Sequence, residues 1–187
     1  QVLTLGYAYL SSFSLVSTAQ MHLEELSADL RESCSASVLE GENVIYVCRV
    51  TANRIMTINL AVGTQLPAYC TSMGRVLLSS MKPAEIDSYF SNAKLEKLTS
   101  KTVVEEVKLR SIIDEVRKNG YSIVSEELEE GLESVSVPIR GKDGKVIAAA
   151  NISAHATRVS VEKLRSEFLP KLQKCVKDIE KALSMQS

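Results

Sequence analysis

Four small polar residues, Ser134, Ser136, Asn151 and Ser153, fall at alternate positions of two apolar runs, "ESVSVPIR" and "KVIAAANIS". Hydroxyls and an amide gathered on one surface can hold a polar ligand in a fixed orientation. In that role the chemistry they offer is recognition. With Gly141-Lys142-Asp143-Gly144 as the loop of a hairpin, Arg140 is expected opposite Lys145, Ser134 opposite Asn151, and Ser136 opposite Ala149. The period of two then places the four polar residues on one face. Val135, Val137, Ala148, Ala150 and Ile152 take the other. Such a face is either the solvated side of a sheet or the wall of a small pocket, and the pattern leaves both open. The small Ala148-Ala149-Ala150 run leaves space for a ligand or for a closely packed helix.

A second candidate is the stretch "YCTSMGRVLL", which reads as a helix start with Thr71 or Ser72 as N-cap. Gly74 in its first turn costs about 1 kcal/mol relative to alanine. One use for it is close packing of a neighbouring element. The other is access: a helix start carries free N–H groups and partial positive charge, and a missing Cβ lets a carboxylate approach. Under the second use, Gly74→Val abolishes ligand response while the domain still folds.

Catalytic signals are thin. His22 and His155 are the two histidines, and nothing local pairs Cys70 with His155 as nucleophile and base. The acidic stretch Glu126, Glu127, Glu129, Glu130, Glu133 reads as a solvated loop or short helix, with no partner spaced for acid–base work. Cys34, Cys48, Cys70 and Cys175 show no metal-type spacing and read as buried, reduced thiols. Arg54 opens a strand-like run and Arg49 lies across the preceding turn. Either can reach a carboxylate ligand with its fork, Arg54 being the stronger candidate; the alternative is a surface ion pair or a solvated side chain.

These residues must be positioned by one domain. The 187 residues are 45% hydrophobic, enough for a real core. Lys plus Arg number 22 against 23 for Asp plus Glu, so the charge balance has no footprint for nucleic acid or an anionic membrane. No apolar run is long enough to span a bilayer. The start "QVLTLGYAYL" lacks both Met and a basic secretion signal, as expected for a segment cut from within a longer protein.

Spacing along the chain supplies the elements. Val16, Ala19, Leu23, Leu26 and Leu30 mark an amphipathic helix over about 14–32. "ASVLE" and "NVIYVCRV" flank Gly41-Glu42-Asn43 as a hairpin, and "RIMTINLAV" alternates as a further strand. Pro83 starts a short helix over about 83–91. Thr102 and Glu105 read as a capping box for a helix ending at Gly120. "YSIVS" is a strand, the second hairpin follows, and Ser160 caps a long helix. Val161, Leu164, Phe168, Leu172, Cys175, Ile179 and Leu183 line its buried stripe, and Pro170 should bend or interrupt it. The sum is α+β: a central, mostly antiparallel sheet of about five to six strands with helices packed on it.

"GTQLPAYCTSMGRVLL" and "GYSIVSEELEEGLESVSVPIRGKDGKVIAAANISAHATRVS" resemble two segments of the effector-binding domain of IclR-family transcriptional regulators. The resemblance covers about residues 12–185. Within the family the chain looks most like the branch governing the β-ketoadipate pathway and 4-hydroxybenzoate. The resemblance implies a GAF-like domain over 14–187, with 1–13 the end of a connecting region from a missing winged helix-turn-helix domain. It implies a bacterial cytoplasmic regulator that self-associates as dimers or tetramers and touches DNA only through that missing domain. It implies a small carboxylate effector (an aromatic acid or a β-ketoadipate-type catabolite), no cofactor, no metal, no membrane and no enzymatic activity. Carried onto this chain, the pocket points to Ser72, Met73 and Gly74 beside Ser134, Asn151 and Ser153, with Arg54 as a further ligand contact. Two positions depart from common family patterns: Tyr69-Cys70 stands where many members have His before Ala-Thr, and Asn151 where Ser often precedes Ile-Ser. Two other readings remain: a GAF-like cysteine enzyme such as a sulfoxide reductase, which needs Cys48 and Cys70 close together, and a dimerisation module without ligand.

Overall fold

The computed structural model describes residues 2–52 and 60–186, with residues 2–13 as backbone only. Helix α1 (Val2–Leu30) runs into strands β1 (Ser33–Glu40) and β2 (Asn43–Val50), joined by the two-residue turn Gly41-Glu42. The short β3 (Gln65–Pro67) follows. Helices α2 (Ser72–Ser79), α3 (Pro83–Asn92) and α4 (Glu106–Asn119) come next. Then come β4 (Ser122–Ser125), β5 (Leu132–Arg140) and β6 (Val146–His155). The chain closes with α5 (Val161–Lys163), a π-helical turn (Leu164–Phe168) and α6 (Leu169–Met185).

The strands form one antiparallel sheet in the order β3-β2-β1-β6-β5-β4. The two hairpins meet where β1 pairs with β6. Alternation sends each strand's apolar residues to opposite faces, and each face acquires its own core. On one face Leu15, Ala19, Leu23 and Leu26 of α1, with Leu164, Phe168, Leu172 and Ile179 near the C-terminus, cover Ala36, Val135, Val137, Ala150 and Ile152. On the other, Met73, Val76 and Leu77 of α2 and Leu109, Ile113 and Val116 of α4 pack with Val44, Tyr46 and Ala149.

Several sequence expectations are corrected. The first helix begins well before residue 14. The strand read over "RIMTINLAV" lies largely outside the described residues, and residues 60–62 are not strand; the strand that pairs with β2 is the unforeseen β3. Thr102 is no N-cap. Its hydroxyl donates to the Glu127 carbonyl, and the Val103 N–H donates to Glu127 Oε2, so this stretch stays extended and α4 starts at Glu106. Gly120 does end that helix, in the left-handed region at φ 75°. Pro170 interrupts the last helix as expected. Its ring cannot sit over the carbonyl four residues back, and the widened π turn just before it absorbs the misfit.

The hairpin register is two residues off the expected one. Arg140 pairs with Val146 rather than Lys145, and a bulge between Ile139 and Arg140 adds a second step. Ser134 therefore sits opposite Ser153, and Ser136 opposite Asn151. Two one-residue slips in the same sense restore the parity, so the face assignment stands.

Candidate functional site

The polar face of the hairpin points inward. Ser134, Ser136, Asn151 and Ser153 are all buried beneath α2, so the solvated-face reading is excluded. The polar surface is also larger than expected, because β1 contributes Ser33, Ser35 and Ser37, which pair with Ser153, Asn151 and Ala149. The alternation in "SCSASV" carried that signal, with Cys34 and Ala36 on the opposite face.

Helix α2 faces this surface with its N-terminus. Thr71 is the N-cap and its hydroxyl accepts from the Gly74 N–H at 3.2 Å. Ser134 donates to Ser72 Oγ at 2.8 Å, tying β5 to the helix start, and Ser37 donates to Met73 Sδ at 3.2 Å. Between helix and sheet lies a tight cavity of about 20 Å³, measured as room for water centres, lined by Ser72, Met73, Ser134, Asn151 and Ser153 with Tyr46 and several apolar residues. That is room for about one water. Asn151 Oδ1 and Ser153 Oγ are buried without a hydrogen-bond partner. Buried polar atoms are normally paired, so two orphans on one cavity wall need an explanation.

Of the residues singled out in sequence, Ser72, Met73, Ser134, Asn151 and Ser153 are brought together here. Gly74 is not on the cavity wall. A Cβ added there would lie 2.1 Å from the Ala68 carbonyl oxygen and 2.4 Å from its Cα. Its N–H is already taken by Thr71. The position serves close backbone packing, so the access reading and the expectation of a folded but unresponsive Gly74→Val are withdrawn. Arg54 lies outside the described residues. Tyr46, buried on β2 with its phenol pushed up to about 12 by desolvation, was not foreseen as a cavity residue.

The helix is locked from below by a pair that sequence reading missed. Arg75 is buried, donates from Nε to the Tyr69 carbonyl, and forks onto both Glu127 oxygens at 2.8 and 2.7 Å. The acidic stretch is thus not uniformly solvated. Glu127 is an internal ion-pair partner. Glu133 is buried too, its carboxyl raised by desolvation and held by Ser125. An arginine inside the apolar run "MGRVLL" was the available signal for a buried charge.

No thiol pair forms. Cys48 belongs to the core on one face of the sheet and Cys70 to the core on the other. Cys34, Cys48, Cys70 and Cys175 are all buried and free. Desolvation pushes Cys48 up to about 11 and Cys70 and Cys175 to about 12. At pH 8 a thiol of pKa about 12 is ionised to roughly one part in ten thousand. Ellman titration of the folded protein is therefore expected to run at least about 100-fold slower than after denaturation. A rapid burst equal to one thiol would contradict this. His155 Nδ1 sits 2.9 Å from Thr157 Oγ1, and no hydrogen bond joins it to Cys70 among the described residues. No group of His, Cys, Asp and Glu suited to a metal is found there either. No helix among them is long and apolar enough to cross a membrane.

Comparison with known proteins gives this geometry its context. The model of the bacterial transcriptional regulator IclR C-terminal domain matches residues 7–181. The Pca regulon regulatory protein of Pseudomonas putida is 42% identical over 180 residues, 96% of this chain. The chain spans 62% of that relative's length. The inducer-binding domain of PobR from Acinetobacter, a double mutant solved with 3-hydroxybenzoic acid, is 30% identical with a TM-score of 0.83, covering 88% of this chain and 97% of its own. An IclR homologue from Microbacterium hydrocarbonoxydans, solved with 4-hydroxybenzoate, is 25% identical with a TM-score of 0.83 over 92% of this chain and 69% of its own.

Proposed function

Since this chain belongs to the family of bacterial transcriptional regulators defined by the IclR C-terminal domain, we propose that it is an effector sensor whose ligand is a small carboxylic acid. The ligand class is an aromatic acid or a β-ketoadipate-type catabolite, taken up between the sheet and α2. The family and its named members are regulators, not enzymes. The observation that carries the ligand reading is the pair of orphaned atoms, Asn151 Oδ1 and Ser153 Oγ, on the wall of a tight cavity. The relatives solved with hydroxybenzoates support the aromatic class. Ser72, Met73, Ser134, Asn151 and Ser153 form the binding surface in this reading. Residues 1–13 are the end of a connector to a winged helix-turn-helix domain, 14–187 are the sensor, and the assembled regulator is a cytoplasmic dimer or tetramer whose DNA contact lies in that other domain.

The mechanism follows from the tightness of the cavity. A hydroxybenzoate needs far more room than one water, so its entry displaces part of the wall, such as Leu60 or Leu128. A ligand shifts an equilibrium only by its differential affinity for two states, typically about 1–3 kcal/mol of coupling. Here the expanded state binds and the closed state does not. Strand β6, which carries both orphans, pairs with β1, and β1 follows directly on α1. Movement at the cavity wall thus has a short route to the long helix, through one hydrogen-bonded strand pair and the connection from β1 to α1.

Thermal unfolding with a panel of hydroxybenzoates and adipate-type dicarboxylates tests the reading. A ligand at 100 times its Kd adds about 2.7 kcal/mol, roughly 5–10 °C in Tm for a domain of this size. Asn151→Ala is expected to weaken binding by about tenfold or more while the apo protein stays folded, with a Tm no lower than the parent's. An unchanged Tm across the whole panel would sink the effector class.

A further inference from the structure

Residues paired directly across an antiparallel ladder share a face. The register therefore strings Ser136, Asn151, Ser35 and Arg49 into one row across β5, β6, β1 and β2. The adjacent row holds Ser134, Ser153 and Ser33. Most of this polar surface is satisfied internally. Ser136 donates to the Ala150 carbonyl, Ser134 to Ser72, and Arg49 Nη1 donates to Ser35 Oγ at 2.9 Å. Three buried atoms are not: Asn151 Oδ1, Ser153 Oγ and Arg49 Nε. They lie on these two neighbouring rows.

Arg49 is an unusual member of that set. It is half-buried, and no carboxylate pairs with it among the described residues. Burial disfavours its charge, opposed chiefly by Tyr46. A partly desolvated cation with an unpaired buried Nε is stabilised by an anion that can reach it. Arg49 shares a strand and a face with Tyr46, which lines the cavity, so an opening of the cavity toward that end of β2 would bring an anion to it.

We infer that Arg49 is the anion seat of the sensor: the carboxylate of a bound acid accepts from its guanidinium, while a hydroxyl at the ligand's other end meets Asn151 and Ser153. This rests on the effector reading above and narrows it. Two strand spacings, about 9–10 Å, separate the backbones of Arg49 and Asn151, and the side chains take up part of that span. The ligand in this reading carries an anionic end and a hydroxyl end held apart by an apolar middle. Leu60 and Met73, which lies over β1 against Ser37, supply apolar wall for such a middle.

Calorimetry on the 187-residue chain tests this with two probes, 4-hydroxybenzoate and its uncharged counterpart 4-hydroxybenzyl alcohol. Arg49→Gln is expected to weaken the acid by about 10- to 100-fold, the range for a charge-assisted pair. The same variant should leave the alcohol within about twofold, since the alcohol makes no such pair. Arg49→Lys should recover part of the loss, as a cation without the fork geometry. Equal loss of both probes marks a structural role and overturns the inference, as does unchanged binding of the acid. If Arg49→Gln does not fold, a crystal structure of the wild-type complex decides. A carboxylate about 3 Å from the guanidinium supports the seat, and one placed elsewhere removes it. Wild-type protein that binds neither probe fails the aromatic-acid reading itself, whereas binding of the acid with an unaffected Arg49→Gln fails only this step.

Discussion

Glu127→Ala is expected to destabilise the domain by about 3–5 kcal/mol, more than any surface change, because it strands a guanidinium inside the protein. Arg75 is 3% exposed, and its fork has no alternative acceptor equal to the two Glu127 oxygens. The carboxylate also accepts from the Val103 N–H at 3.0 Å, and the backbone carbonyl of the same residue accepts from Thr102. One residue thus joins α2, the extended entry to α4 and the turn that carries Leu128 over the cavity. Loss of the side chain alone leaves a buried charge; loss of both partners does not. Arg75→Leu combined with Glu127→Leu should therefore be less destabilising than Glu127→Ala alone. Urea unfolding of the two variants checks the order. If the double variant is the weaker, the stabilisation lies in the pair itself and not in avoiding a stranded charge.

The second large effect runs against helix propensity. Gly74→Ala should gain about 1 kcal/mol from propensity in α2. It is expected instead to lose about 3 kcal/mol or more, since overpacking against rigid neighbours costs 1–3 kcal/mol and the clash here is severe. The atoms in the way are the Ala68 backbone, which no rotamer change can move, and Ala68 itself is fully buried. Relief requires α2 to back away from the turn before it, and with it Ser72 and Met73 from the cavity. Equilibrium unfolding in urea decides: a Gly74→Ala variant as stable as the parent would show that the Ala68 turn gives way cheaply. Gly74→Val adds two methyl groups to the same clash and should fare worse.

The fold was legible in sequence wherever the information is local and periodic. The hairpin around Gly141–Gly144 could be placed on the right faces despite a wrong register, because parity survives an even slip. Gly120, Pro83 and Ser160 mark helix ends through their own backbone or hydroxyl preferences, and all three do so in the structure. What failed depends on distant partners. Thr102 has the residue type and spacing of a cap, but its hydroxyl is claimed by a carbonyl 25 residues away. Arg75 and Glu127 are separated by 52 residues, and Glu127 looks like any member of an acidic loop until the fold brings an arginine to it. The Gly74 misreading has the same origin. Propensity flags a glycine as costly, and only the packed structure says which neighbour requires it.

The cavity wall was legible by a different route. Ser134, Asn151 and Ser153 share a face by alternation, and their burial follows from α2 closing over them. Ser33, Ser35 and Ser37 show the same alternation and were passed over because strand order cannot be read from one strand. Only the β1–β6 pairing, more than 100 residues apart in sequence, turns two short polar patterns into one continuous surface.

In the effector reading proposed above, the unsatisfied Asn151 and Ser153 atoms set a conflict between durability and hearing. Each buried polar atom left without a partner lowers stability by about 1–3 kcal/mol relative to an apolar group of the same shape. Selection for heat resistance alone would convert these positions to valine and alanine, and the sheet would accept them, since Ala149 and Ala150 already sit in the same strand. The sensor that resulted would be sturdier and deaf. In that reading the two polar side chains exchange folding stability for contact with a ligand.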